Sequence, residues 1–172
     1  VGIQRNARTA RSEIASPEDD IAYRAGFAKI LETVREMRDQ GVIIIPGTDL
    51  GGSFSYHREL ELYQEVGMTA AEVLKMATLD MATYLGEGDR LGSIAPGKLA
   101  DFFLIPGDPT ADLKAIKTIS MVIKDGNVYF PSDIYPEFGI RPFTPAPTIV
   151  SGAEGGLVQS VSAINLRGTH PM

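Results

Sequence analysis

The sequence predicts an α/β fold, and three observations carry that reading. A long amphipathic stretch of helical period passes through a glycine into the unbroken apolar run Val42-Ile43-Ile44-Ile45. An acid, Asp49, follows just past the end of that run. Further along, near Glu87, helical periods give way to short alternating segments separated by turn residues. A helix followed by a buried strand is the αβ half of a repeating β/α unit, whereas the later pattern is that of a small antiparallel unit.

The first helix is predicted to begin at Ser16-Pro17-Glu18-Asp19-Asp20, where Ser16 is a good N-cap, Pro17 suits the first turn and the acids favour the positive end of the dipole. Ile21, Ala25, Ala28, Leu31, Val34 and Met37 recur at helical spacing, and Gly41 stops the helix. Residues 42–45 are β-branched, too few for a helix, and read as a strand buried on both faces. Pro46 and Gly47 end it. A Gly/Ser loop then leads to a helix with Leu60, Tyr63 and Val66 on one face, closed by Gly67. Thr69 and Glu72 form a capping box for the next helix, Asp80 is placed to cap a further short one, and Gly86 closes it. Residues 100–105 and 118–124 read as strands, and Asp125-Gly126 turns the second into a hairpin strand at 127–130. Prolines recur from Pro131 onward, predicting an irregular tail that packs near Tyr135 and Phe143 and loosens afterwards. Three units follow from this: residues 1–86, 87–130 and 131–172.

On its own residues Asp49 admits two readings. An Asp after a strand can make a turn or cap a helix. Equally, the carboxyl end of a strand in an α/β architecture is where chemistry is placed, and a carboxylate there can bind a metal or accept a proton from water. Arg5, Arg8 and Arg11 stand at three-residue spacing and read as a solvated face.

Composition bounds the partners. With 172 residues, 44% hydrophobic and 22% charged, the chain can bury a core. A net charge of −6 argues against nucleic acid or an anionic membrane surface as main partner. No apolar run in the sequence reaches the length of a membrane span, and the absence of Cys excludes disulfides and thiolate zinc sites within it. The chain begins at Val1 without an initiator Met or a signal-like segment, so processing or a longer parent chain is expected.

Taken in order, several pieces resemble the C-terminal part of the amidohydrolase superfamily, in particular imidazolonepropionase-like and Xaa-Pro-dipeptidase-like hydrolases. These are the run and acid at 41–49, His57-Arg58-Glu59-Leu60, Gly67-Met68-Thr69-Ala70-Ala71-Glu72-Val73-Leu74 and Ala77-Thr78-Leu79-Asp80-Met81-Ala82. Behind them stand Arg90-Leu91-Gly92-Ser93-Ile94-Ala95-Pro96-Gly97-Lys98-Leu99-Ala100-Asp101, Gly107-Asp108-Pro109 and Val122-Ile123-Lys124-Asp125-Gly126. Each is weak alone, but the ordered set is specific.

The resemblance implies the C-terminal part of a (β/α)8 barrel of a metal-dependent hydrolase, plus part of an accessory β-sandwich. Residues 42–45 would be the last barrel strand. Asp49 would touch the divalent metal, most readily zinc, and take the proton of the metal-bound water. His57 would orient a substrate or order its loop, against the alternative of an ordinary helix histidine. The segment 90–130 would supply sandwich strands, and Pro109 and 112–116 would lie in a connection. The bond cleaved would be an amide, peptide or cyclic amide C–N bond in a small-molecule or peptide-like substrate.

The sequence departs from this family in one respect. The His-x-His pair and the other His, Lys or Glu ligands of the metal are absent, since His57 and His170 are its two histidines. A barrel of this kind takes about 250 residues. The expectation is therefore a C-terminal fragment whose remaining barrel comes from upstream sequence or a companion chain, inactive and without tight metal binding by itself. A homo-oligomer is compatible with this. The alternative is a non-catalytic scaffold or interaction module derived from the same fold.

Overall fold

A computed structural model of the chain describes residues 14–49, 53–150 and 157–158. Arg5, Arg8, Arg11, Gly51, Gly52, the Gly-rich 151–156 stretch and His170 lie outside the described residues.

Helix α1 spans Pro17–Asp39. Ser16 caps it as read: its hydroxyl accepts from the Asp19 N–H at 3.1 Å, and the Asp19 carboxylate accepts from the Ser16 N–H at 3.0 Å, a reciprocal capping box. At the other end Gly41 adopts φ +76°. The Gly41 N–H donates to the Arg38 carbonyl and the Val42 N–H to the Met37 carbonyl, both at 2.9 Å, so the chain leaves the helix through a Schellman turn. No residue of α1 is buried. Leu31 and Val34 are half-covered, but Ile21, Tyr23, Phe27, Ile30 and Met37 stand in solvent.

The predicted strand at 42–45 does not form among the described residues. Residues 42–48 carry no ladder hydrogen bonds, and Ile43 is 81% exposed. Ile44 leans on the core and Pro46 is buried, so one side of the segment is covered and the other is not. The physical reason is that a strand needs neighbouring strands for its N–H and C=O groups. The described residues place none beside it.

Helix α2, Ser53–Glu65, starts earlier than the predicted loop allows and ends at Gly67. Helix α3, Ala70–Lys75, opens with the Thr69–Glu72 capping box as read. Asp80 does not cap a new helix. Its backbone is helical (φ −68°, ψ −39°), its side chain pairs with Lys75, and the chain runs on from α3 through one π-helical turn, Met76–Asp80, into α4, Met81–Tyr84. No breaker lies between 75 and 81, so the helix absorbs an extra residue as a π-bulge and continues to Gly86. The Gly92 turn folds against this bulge: a Cβ at Gly92 would stand 2.7 Å from the Leu79 Cα, so only glycine allows the approach.

A three-stranded antiparallel sheet follows, in the order β1 (Phe102–Leu104), β2 (Met121–Lys124), β3 (Asn127–Tyr129). Phe103 faces Val122 and Ile123 faces Val128 across the ladders. Asp125 (φ +50°) and Gly126 (φ +71°) form the two-residue turn, both in the left-handed region that a type I′ hairpin requires. The expected connection at 112–116 is more than a connection. Residues Leu113–Thr118 form a 3₁₀ helix, and Leu113 and Ile116 are buried with Leu60, Ala70, Val73 and Met76 in the main core. A second, smaller core holds Ile123, Val128 and Phe130.

The proline-rich segment is less irregular than expected, because Pro131 opens a short helix α5, Pro131–Glu137. Tyr135 and Phe143 do pack on the body, with ring centroids 6.3 and 5.7 Å from Phe54. Two short strands, β4 (Ile149–Val150) and β5 (Leu157–Val158), pair antiparallel beyond it. No helix among the described residues is long and apolar enough to cross a membrane.

Candidate functional site

The candidate site is a turn held between two helices. At one end, the Schellman turn of α1 delivers the chain to Val42. At the same corner, Arg38 donates to the Val66 carbonyl and Arg35 donates to the Glu65 carbonyl at 3.0 Å. Both arginines thereby satisfy carbonyls at the C-terminal end of α2 and suit the negative end of its dipole. This fixes α1 against α2 where the exposed segment begins.

At the other end, Glu59 of α2 reaches back to the segment. Its Oε1 accepts from the Gly47 N–H at 2.6 Å and from the Tyr63 hydroxyl at 2.9 Å. Glu59 and Tyr63 are four residues apart and so share a helix face. Burial first, and the Glu59 hydrogen bond second, push the Tyr63 hydroxyl well above the usual tyrosine range, so it stays a donor. The sequence pattern placed Tyr63 on an apolar stripe and left Glu59 without a role. The i, i+4 spacing of an acid and a phenol on the helix that follows a candidate acid was the available signal.

Asp49 lies two residues beyond Gly47. It is exposed, and its φ of +49° is left-handed, a conformation uncommon for a residue with a Cβ and easiest for Asp and Asn.

His57 has a different environment. It sits in the second turn of α2, not in a loop, and is 8% exposed. Its Nδ1 has no hydrogen-bond partner among the described residues. Its ring meets that of Phe54 edge to face at 6.3 Å. Burial, helped by the Lys117 ammonium, holds its pKa below the usual histidine value, while Glu61 opposes. Glu61 itself is paired with Lys117 and Arg58. The two candidate residues are thus not gathered into one cluster: Asp49 faces solvent and His57 faces the interior. Among the described residues no group of three or more His, Cys, Asp or Glu converges as metal ligands do. Asp49 alone falls short of the three or four ligands a catalytic zinc takes.

Comparison with known proteins agrees with the ordered motifs. A family model described as "Amidohydrolase family" matches residues 9–129. Imidazolonepropionase of Phocaeicola vulgatus is 30% identical over 102 residues, covering 55% of this chain and 25% of that protein. Imidazolonepropionase of Solibacter usitatus is 30% identical over 96 residues, 53% and 23% of the two chains. The chain spans about a quarter of the length of these curated relatives. Among solved structures, a Xaa-Pro dipeptidase with bound methionine in its active site superposes with a TM-score of 0.55 at 36% identity, covering 59% of this chain and 25% of that one. An amidohydrolase superposes with a TM-score of 0.59 at 28% identity, covering 74% and 32%. The family model covers well over half of the sequence and takes in the Asp49 turn, both helices that hold it and the β hairpin: the chain belongs to the amidohydrolase family.

Proposed function

We propose that this chain is the C-terminal part of a hydrolase that cleaves carbon–nitrogen bonds, with Asp49 as the carboxylate that accepts a proton from the attacking water. The observation that supports it most is the placement of Asp49. It stands exposed at a left-handed turn, directly after the apolar segment 42–45, on a loop tied to α2 by Glu59. In this reading 42–45 is the last strand of a (β/α)8 barrel, 87–130 belongs to an accessory β-sandwich, and the apolar face of α1 and the bare side of Ile43 meet the rest of the barrel. That remainder is supplied by covalently linked sequence or by a companion chain. His57, buried in the second turn of α2, takes the loop-ordering role and not that of orienting a substrate.

A divalent metal, most readily zinc, would lower the pKa of the water to be attacked with. The described residues do not by themselves fit such an ion, since they bring one candidate ligand, Asp49, and no converging set. The further ligands belong to the part of the relatives that this chain does not cover. Asp49 needs only to be ionised at working pH and within reach of the water proton to act as general base. Cyclic amides and Xaa-Pro dipeptides are the substrate classes to try first, since relatives are named imidazolonepropionase and Xaa-Pro dipeptidase.

The test is Asp49→Asn in the protein completed with its barrel, assayed on a panel of cyclic amides and dipeptides. The substitution keeps the shape and removes charge and basicity. Turnover is expected to fall by about 10⁴-fold, the scale seen when a catalytic acid is neutralised, with unfolding midpoint unchanged. Full turnover in the variant would return Asp49 to a turn residue and favour a second reading, a non-catalytic scaffold. That reading draws on the self-contained core of Leu60, Val73 and Leu113, which packs without any barrel neighbour.

A further inference from the structure

We propose that Glu59 and Tyr63 form a clamp that sets the conformation of the 46–49 turn and thereby presents Asp49, so that both are positioning residues for the reaction. The assignment of what is presented rests on the reading of Asp49 above; the clamp itself rests on geometry.

The segment that carries Asp49 is anchored through Ile44 on the core and through buried Pro46, but it lacks the restraint of a sheet. It makes no ladder bonds, its Ile43 side is bare, and Asp49 is held at a positive φ. A non-glycine residue in the left-handed region sits above its preferred energy and persists only when its surroundings fix it. Restraint at the start of the segment comes from the α1 Schellman turn and Arg38, but that anchor is distant in sequence from Asp49. Close to Asp49, the Gly47 N–H donates to Glu59 at 2.6 Å. A carboxylate acceptor makes this a charge-assisted bond, stronger than one between neutral groups.

Tyr63 makes the acceptor directional. Its hydroxyl donates to the same Oε1 at 2.9 Å, which holds the Glu59 side chain in the rotamer that reaches Gly47. Leu31 of α1 and Leu62 of α2 line one cavity of about 360 Å³ with Gly47, Thr48, Glu59 and Tyr63, so the clamp stands at the joint of the two helices and the turn. A shift of Glu59 along α2 would carry Gly47 with it, and Asp49 two residues further.

The experiment uses hydrogen exchange on the full chain and steady-state kinetics on the completed enzyme, with Glu59→Gln, Tyr63→Phe and Asp49→Asn made side by side. Glu59→Gln keeps size and removes the charged acceptor. It is expected to speed exchange of the Gly47 amide about tenfold, the scale of one hydrogen bond, with Leu60 and Val73 amides unchanged as evidence of an intact core. Tyr63→Phe should have the same effect in smaller degree. In the completed enzyme, Glu59→Gln should lower kcat by up to about 10²-fold, as a misplaced reacting group does, and leave KM within about twofold. Unchanged Gly47 exchange in Glu59→Gln, with the core intact, overturns the clamp. Normal turnover in Glu59→Gln beside a dead Asp49→Asn overturns the positioning role. Faster Gly47 exchange with normal turnover in both Glu59→Gln and Asp49→Asn keeps the clamp and removes the reading of Asp49.

Discussion

The two sides of helix α2 are finished to different degrees. One side packs on α3 and the 3₁₀ helix at Leu113–Thr118, where Leu60, Val73 and Leu113 are each at most 3% exposed. Toward α1 the packing is less complete: α1 has no buried residue, and the segment 42–48, although Ile44 leans on the core and Pro46 is buried, has no strand partner among the described residues. Both sides have the same kind of sequence, periodic and rich in aliphatic residues. The difference teaches that apolar pattern states what an element is built to bury, while its surroundings decide whether it does. The helical layer contains its own counterpart. The 42–45 segment and α1 are shaped for one that the described residues lack.

Three substitutions or titrations sharpen this contrast. The largest effect is expected from Leu113→Ala. Leu113 is wholly buried between α2 and α3, and truncating such a side chain costs about 2–5 kcal/mol, depending on how far the site collapses. Denaturant unfolding of the full chain measures it, and a change below about 1 kcal/mol would mean that the 3₁₀ helix does not hold the core together.

An intermediate effect is expected from pH. His57 is held neutral by burial, with Lys117 adding to the effect. Its folded pKa lies below its unfolded value of 6.5, so the unfolded chain takes up the proton first as pH falls. The contribution of neutral His57 to stability is complete above about pH 6.5. It is lost progressively as the pH drops from there through the folded pKa. The midpoint of unfolding should therefore fall between about pH 7.5 and 5.5 in the native chain, and fall less in His57→Gln. Equal slopes for the two proteins would assign the pH dependence elsewhere.

The smallest effect belongs to the unfinished side. Ile43→Ala in this chain removes atoms already in water and should change stability by no more than about 0.5 kcal/mol. In the protein completed with its barrel the same substitution should cost about 2–5 kcal/mol, as for a core aliphatic. Equal, small costs in both settings would mean that residues 42–45 face solvent in the completed protein as well.

Much of the fold was legible in the residues themselves. Ser16 and Thr69 have short polar side chains ahead of an acid three residues on, and both make the capping boxes that spacing implies. Gly41, Gly67 and Gly86 terminate helices because each follows a periodic stretch and each takes a positive φ. Asp125-Gly126 could only be a tight hairpin turn between alternating segments. The misreadings share one cause, since they depend on non-local context. Asp80 looked like a cap because its side chain suits one, but the helix had no reason to stop before it. Residues 112–116 do lie in the connection that the resemblance implies, between β1 and β2, but nothing in their letters shows that they also enter the core. The role of Leu113 is set by Leu60, far away in sequence. For the site, Asp49 was visible as an acid after an apolar run. Glu59 was not assigned because its partner is a backbone N–H, and a main-chain donor leaves no mark on the residue letters.

The 3₁₀ helix also bears on the order in which the molecule assembles. Residues of α2, α3 and the π turn meet through contacts close in sequence, and the β2–β3 hairpin closes over two residues; hairpins of that kind form in about 1–10 μs. Docking Leu113 and Ile116 onto Leu60 and Val73 closes a much longer loop, and its entropic cost falls before its reward. The 3₁₀ helix is thus cast as a late-arriving latch between two pieces that form early. A latch of this kind governs how fast the fold is lost rather than how fast it is gained.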